Sequence, residues 1–181
     1  MPDHVLQSFQ FCPRCGAPSA VAGANPFHCD ACDFRFYFSP TAAVGGLVCN
    51  DRGELLFLVR AKDPGQGKYG LPGGFVDRNE SLEDALLREV KEETSLTVTE
   101  ADYLCSFPNS YAFQGTEVDV LDTFFVCHVD SMDALRAEPN EVAEFLIVGP
   151  SPEILSNMAF ESNRRAIEFF LRKTQQGKIV T

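Results

Sequence analysis

The sequence predicts an α/β (α+β) sandwich preceded by a small cysteine-rich module. Three observations lead there. Beyond residue 39, strand-like apolar runs are mixed with two amphipathic helical stretches, the combination that layers helices on a sheet. Residues 1–38 have few charges and many turn formers, and they carry four of the seven Cys. Ser39-Pro40 marks a break between the two parts. The expected domains are therefore 1–38 and 39–181, and 181 residues suffice for one packed core with a small appendage.

The elements follow in order. Ala42–Cys49 is apolar and strand-like, Asn50-Asp51-Arg52-Gly53 is a turn signal, and Leu55–Arg60 reads as a second strand, which together predict a hairpin. Asp63–Lys68 holds a Pro and two Gly and reads as a loop; Leu71-Pro72-Gly73-Gly74 reads as a turn. Residues 81–94 form a helical pattern, and strands are expected over 97–107, 119–129 and 143–149. A final amphipathic helix spans 161–173, with Ile167, Phe170 and Leu171 as its apolar face.

The bulk numbers exclude several classes. The formal net charge is −11, a field that repels nucleic-acid phosphates. A site for a phosphate compound must then supply its own positive charge, and metal ions are the usual source. No run approaches the roughly 18 apolar residues of a membrane span. The first twenty residues lack a basic start and an apolar stretch, so no signal peptide is read and a cytoplasmic location is expected. An odd number of Cys without a secretory signal argues against a disulfide scaffold. Cys49, Cys105 and Cys127 sit in apolar contexts and are expected to be small buried residues.

The other four Cys are spaced as ligands. Cys12-Pro13-Arg14-Cys15 and Cys29-Asp30-Ala31-Cys32 are two CxxC pairs, each able to turn two thiolates toward one point. Two such pairs complete a tetrahedral four-sulfur site, which suits Zn²⁺. A site closed by four ligands leaves no position for water, so its role is structural, and in so short a stretch metal binding supplies much of the folding free energy. A redox CxxC is the rival. His28 adjoins Cys29, but four Cys already suffice.

The helix over 81–94 carries acids at the wrong end. Ser81 is a good N-cap, and Asp84 three residues on resembles a capping box. Glu83 and Asp84 suit the positive end of the helix dipole, whereas Glu89, Glu92 and Glu93 lie at its negative end. Residues three and four apart share a face, so the three acids crowd one another. On a helical wheel Leu82, Ala85 and Leu86 fall on the side of Glu89 and Glu93, while Asp84, Lys91 and Thr94 fall opposite. The acids thus face the protein or a cleft, where unpaired charge is most costly. Arg88 can pair with one of them. A divalent cation is the simplest partner for the rest, since carboxylate oxygens are preferred ligands of Mg²⁺.

These residues resemble the Nudix box, G-x5-E-x7-R-E-U-x-E-E-x-G-U with U aliphatic. Here it runs Gly74, Glu80, then Arg88-Glu89-Val90-Lys91-Glu92-Glu93-Thr94-Ser95-Leu96, and only Ser95 departs, where the pattern has Gly. Gly after a helix commonly adopts the left-handed conformation, so Ser95 there costs ~1–2 kcal/mol unless the helix ends differently. The resemblance implies an α/β/α sandwich around a mixed sheet, with Glu89, Glu92 and Glu93 holding Mg²⁺ or Mn²⁺. It implies that Arg88 orients the acids, that Glu80 is mainly structural, and that the Gly73 carbonyl is a further metal ligand. Gly73 and Gly74 also let the backbone approach a phosphate closely. The metals would bridge a diphosphate and lower the pKa of a bound water. The proton acceptor would be Glu92 or Glu93 within the box, or Glu141, whose segment Glu141-Val142-Ala143-Glu144 precedes an apolar strand.

A four-Cys zinc ribbon before such a domain is similar to the bacterial NADH pyrophosphatases, some of which remove NAD caps from RNA. Of their signature S-Q-P-W-P-F-P-x-S, only Phe107-Pro108-Asn109-Ser110 echoes the end, and the chain has no Trp. Phe107, Tyr111 and Phe113 offer rings for stacking on a base, and Tyr69 precedes the Gly-rich turn. The expected substrate is a nucleotide-type small molecule, a dinucleotide or ADP-ribose-like diphosphate; a homodimer is implied by the relatives. A nucleic-acid-binding ribbon protein would need a basic surface, yet residues 1–38 hold only Arg14 and Arg35 against Asp3, Asp30 and Asp33. A ligand sensor would often lose box acids, and here all are present. A hydrolase of damaged nucleoside triphosphates stays open and is separated by its products.

Overall fold

The computed structural model describes residues 3–177. In chain order its regular elements are β1 (Asp3–His4), β2 (Phe27–His28), β3 (Arg35–Phe36), β4 (Thr41–Val48), β5 (Leu55–Arg60), β6 (Tyr69–Gly70), α1 (Leu82–Thr94), β7 (Val98–Phe113), β8 (Thr116–Val129), β9 (Val142–Val148), α2 (Pro152–Ser156) and α3 (Glu161–Gln175). They form two compact units. Of the described residues, one comprises those up to Thr41 together with Ser110–Val120, and the other comprises Ala42–Asn109 and those from Leu121 onward.

The first unit has a small aromatic core. Cys12, Phe27 and Cys29 are buried, and Phe9, Phe34 and Phe38 pack against them. The Phe9 ring meets Phe38 edge-on at 4.6 Å, a favoured aromatic geometry. β2 and β3 pair antiparallel, and β1 lies parallel to the start of β8 with Asp3 opposite Thr116.

The second unit is layered. β8 pairs with both β4 and β7, while a second sheet has the order β6-β5-β9. Leu47, Leu55, Phe57, Phe124 and Val126 pack with Ile167 and Phe170 of α3. Val48, Leu56, Phe125 and Cys127 pack instead with Leu86 and Val90 of α1. Alternate residues of the same strands thus face different helices, as the period of two in a strand dictates. Helix, strand and helix layers result, and each fully buried Leu or Phe contributes roughly 1.5–3 kcal/mol. Leu55–Leu58 is buried throughout, which explains its unbroken apolar sequence.

Two expectations change. The turn at Asn50 forms, with the Gly53 N–H donating to the Asn50 carbonyl at 2.9 Å, and Cys49 bridges Leu55. Beyond that bridge β4 and β5 diverge into different sheets, because strands buried on both faces serve both cores. The predicted hairpin is one bridge long. Thr94, placed on the outer side of the wheel, is fully buried. Its hydroxyl accepts from the Leu96 N–H and its carbonyl accepts from the Arg136 N–H, so the returning chain covers it. The short helix α2 and strand β6 had no counterpart in the sequence reading. No helix among the described residues is long and apolar enough to cross a membrane.

Candidate active site

α1 begins as its sequence dictates. The Ser81 hydroxyl accepts from the Asp84 N–H at 3.0 Å and donates to the Asp84 carboxylate at 2.7 Å. At the other end Ser95 takes the left-handed conformation, φ 63° and ψ 4°, and its N–H donates to the Lys91 carbonyl. The exit expected of Gly is therefore kept by Ser. Lys91 Nζ reaches the Ser95 carbonyl at 2.8 Å and Thr97 Oγ1 at 3.2 Å, which satisfies groups left open at a helix end.

Arg88 is the hub of the acidic face. Its Nε and Nη2 donate to the two oxygens of Glu80 at 2.8 and 2.9 Å, a bidentate fork. Nη1 donates to Glu89 at 2.7 Å and lies 3.3 Å from Glu92, and Nη2 also reaches the Phe75 carbonyl. This hydrogen bond from Arg88, with the Asp77 N–H, holds the Glu80 carboxyl down at about 2. Its hydrogen bonds to Glu80 first, and then to Glu89, raise the Arg88 guanidinium further.

The three box acids differ in environment. Glu92 is exposed, with 60% of its side chain open to solvent, whereas Glu89 retains 14%. Glu93 is 7% exposed and accepts the Gly73 N–H at 2.9 Å. Burial pushes the Glu93 carboxyl up to about 8; the Gly73 N–H opposes this, and the charges of Glu89 and Glu141 add to it. Burial also raises Glu89, against the pull of Arg88. Desolvation thus outweighs the available hydrogen bonds, as expected for carboxylates with too little positive charge nearby.

Two glycines bring the backbone against these acids. Gly73 has φ +149°, and a Cβ there would lie 2.1 Å from the Val44 carbonyl oxygen. At Gly74 a Cβ would lie 2.5 Å from Glu89 Oε1. The strand-like hydrogen bonds Gly46 N–H to Pro72 O and Val44 N–H to Gly74 O lock this turn onto β4. Glu141, at the foot of β9, pairs with Lys62. Phe107 lies half-buried on β7 against the α3 core, with the Arg165 guanidinium 4.1 Å from its ring centre. Tyr69 packs on Phe57. Tyr111 and Phe113 belong to the first unit, and Glu89, Glu92 and Glu93 to the second.

The sequence reading missed Lys62, and it missed Arg60, whose charge is felt at Glu93. It also missed Asp122, a buried carboxyl on β8 that accepts the Ser162 hydroxyl at 2.5 Å. Alternation along β8 offered the one available signal for Asp122, a charge between residues of the apolar run.

In the first unit the two CxxC pairs are built alike. Gly16 N–H donates to the Cys12 carbonyl and Asp33 N–H to the Cys29 carbonyl, at 2.9 and 2.8 Å. Gly16 and Asp33 both have positive φ, 76° and 56°. The Cys12 and Cys32 sulfurs are 3.7 Å apart, as are those of Cys15 and Cys29. All four lie within 4.8 Å of one another. His28 turns to Asp33 at 2.7 Å. Cys49, Cys105 and Cys127 are buried, which pushes their thiols up to about 11, 11 and 12, well away from reactivity.

The family model of the NUDIX domain matches residues 39–168, well over half of the chain. The chain belongs to the Nudix family. It is similar to the NAD-capped RNA hydrolase NudC of Stutzerimonas stutzeri, 30% identical over 157 residues, covering 78% of this chain and 56% of that protein. It is also similar to the ADP-ribose pyrophosphatase of Methanocaldococcus jannaschii, 43% identical over 63 residues, covering 35% of this chain and 37% of that one. Against the curated capped-RNA hydrolases the Nudix chain spans 38% to 56% of their length. The crystal structure of a Nudix hydrolase from Nitrosomonas europaea shares the fold, with a TM-score of 0.69 at 21% identity, over 93% of this chain and 94% of that one.

Proposed function

We propose that this Nudix protein is a Mg²⁺- or Mn²⁺-dependent pyrophosphohydrolase that cleaves the diphosphate bond of a nucleoside-diphosphate-linked substrate, a dinucleotide or an ADP-ribose-like compound. The single observation that carries this is the buried Glu93 together with the half-buried Glu89, both with raised proton affinity, beside Gly73, where a Cβ would strike the Val44 carbonyl. Such an arrangement costs stability and calls for a cation. The donor set is all oxygen, which suits Mg²⁺. Glu89, Glu92, Glu93 and the Gly73 carbonyl would hold the ion, which when bound supplies charge neutralisation and a water acidic enough to attack phosphorus.

The chain's own residues do the rest. Arg88 fixes the rotamers of Glu89 and Glu80 through its fork. Gly73 and Gly74 let a phosphate lie against the main chain. Glu92, Glu93 and Glu141 are the candidates to accept the proton of the attacking water. For the cysteine module we infer a structural Zn²⁺ held by Cys12, Cys15, Cys29 and Cys32, forming a zinc ribbon over 1–38 ahead of a Nudix domain over 39–181. A tetrahedron with zinc–sulfur bonds of about 2.3 Å has sulfur–sulfur edges of about 3.8 Å, and two of the sulfur pairs stand 3.7 Å apart.

A substrate panel tests the function: NADH, NAD, ADP-ribose, diadenosine compounds and nucleoside triphosphates, each with Mg²⁺ and with Mn²⁺. Two monophosphates released from a dinucleotide or ADP-ribose is the expected result. Pyrophosphate released from a triphosphate alone points to the triphosphate-hydrolase reading. No metal-dependent turnover of any of them refutes hydrolysis.

A further inference from the structure

We propose that Asp122 is a specificity-determining residue: its carboxylate accepts a hydrogen bond from the exocyclic amino group of the substrate's nucleobase, so that adenine nucleotides are taken and 6-oxo purines refused. The inference deepens the hydrolase reading above, on which it rests for the place of the diphosphate, by naming the substrate class.

Asp122 is a buried acid that the proposed hydrolysis leaves unused. It is 8% exposed and lies on β8 two and four residues before Phe124 and Val126, which pack with α3, so it faces the same way. It accepts from the Ser162 hydroxyl at 2.5 Å and from the Asn109 side chain, both neutral. A carboxylate has roughly four acceptor positions. Two donors do not offset its burial, which raises its proton affinity. Packing gives no reason for a charge here, because an apolar residue of similar volume commonly avoids that cost. A donor carried by a ligand would offset it.

The surroundings fit a base. Phe107 and Asn109 share a face of β7, being two residues apart. Ser162 and Arg165 share a face of α3, being three apart, and the Arg165 guanidinium stands 4.1 Å from the Phe107 ring centre. β7, β8 and α3 thus gather a carboxylate, an amide, a flat cation and an aromatic ring, which offers polar edges beside π surfaces. The cluster also lies toward the glycine turn. β4 pairs with β8. A Cβ on Gly45 would lie 2.8 Å from the Phe124 ring, and one on Gly73 would lie 2.8 Å from Gly45 Cα. Asp122 is one same-face step, about 7 Å, from Phe124, a span that a nucleoside with its phosphate at Gly73 can cover.

The test uses the full chain and two substrates that differ only at the base, ADP-ribose with adenine and IDP-ribose with hypoxanthine. The wild type is expected to favour ADP-ribose in kcat/KM by at least ~10-fold, the scale of a hydrogen bond to a charged group. Asp122→Asn offers an amide N–H to the 6-oxo group, so the preference should fall to within about 3-fold. Ser162→Ala keeps the carboxylate and should keep the preference. A merely structural role would lower activity on both substrates alike and leave their ratio unchanged. Calorimetric binding of AMP and IMP to the wild type needs neither turnover nor a variant, and AMP should bind at least ~10-fold more tightly. Equal affinity for the two, or a preference that Asp122→Asn leaves intact, overturns the proposal while the hydrolase reading stands. Weaker binding of 2′-deoxy-AMP with none of IMP assigns the carboxylate to the ribose and equally overturns it. A wild type that selects AMP yet hydrolyses no diphosphate supports the base site and overturns the hydrolase reading instead.

Discussion

The first unit brings four thiols within 4.8 Å of one another, whereas the end of α1 keeps its three carboxylates in separate hands. Glu89 is held by Arg88, Glu93 by the Gly73 N–H, and Glu92 is open to solvent apart from its approach to Arg88. Among the described residues the Cys cluster alone places three or more ligand groups that close together. The difference teaches what each region is built for. The thiols converge because two backbone turns of the same kind, closed by the Gly16 and Asp33 N–H groups, force them to. The carboxylates rest on donors of the protein itself, and under the proposed function a cation would take over as their partner.

That comparison can be broken at either end. The largest effect is expected in the cysteine module. Cys15→Ser, or removal of metal with a chelator, should abolish hydrogen-exchange protection over residues 9–38, because structural zinc contributes on the order of 10 kcal/mol to modules of this kind. Elemental analysis should fall from about one zinc per chain toward none. A module that stays protected without metal would mean that its aromatic core suffices.

Next comes Glu93→Gln. It should lower kcat at least ~100-fold, the scale of a lost acid–base group, while raising the melting temperature of protein without added divalent metal. The sign follows from linkage. A folded-state carboxyl raised to about 8 favours the fold fully only below its ordinary range near 4.5 and loses that contribution as pH rises toward 8. The gain in melting temperature should therefore be larger at pH 8 than at pH 5. An equal gain at both would show that Glu93 does not titrate with folding.

Gly74→Ala should have a smaller effect. The clash is with the far end of the Glu89 side chain, which can move, so the fold survives while activity falls about 10-fold through displacement of that carboxylate. The smallest effect belongs to Ser95→Gly. Ser95 holds φ 63°, so Gly should stabilise the protein by up to ~1 kcal/mol in chemical denaturation with activity unchanged.

Much of this was legible in the residues, for identifiable reasons. The helix over 81–94 and the strands after it announced themselves through caps and apolar runs, because local chemistry decides them. The Cys pairs were legible because their spacing is itself the geometry. The hairpin at Asn50 misled because a turn signal states that the chain reverses and says nothing of which sheet each arm joins. Thr94 misled because a wheel treats a helix as isolated, while the segment reaching Arg136 and Glu138 covers its end. α2 was overlooked although Ser151-Pro152 is a good cap and first turn, since five residues are too few for periodicity to register. Lys62 and Glu141 were beyond reach as a pair because they meet only when β5 and β9 align.

The most direct test is the release of AMP and ribose 5-phosphate from ADP-ribose by the wild type and by Glu93→Gln, with Mg²⁺ and in its absence. The account predicts products from the wild type only when Mg²⁺ is present, and at least ~100-fold less from the variant. Equal rates for the two proteins, or a rate indifferent to the metal, would contradict it.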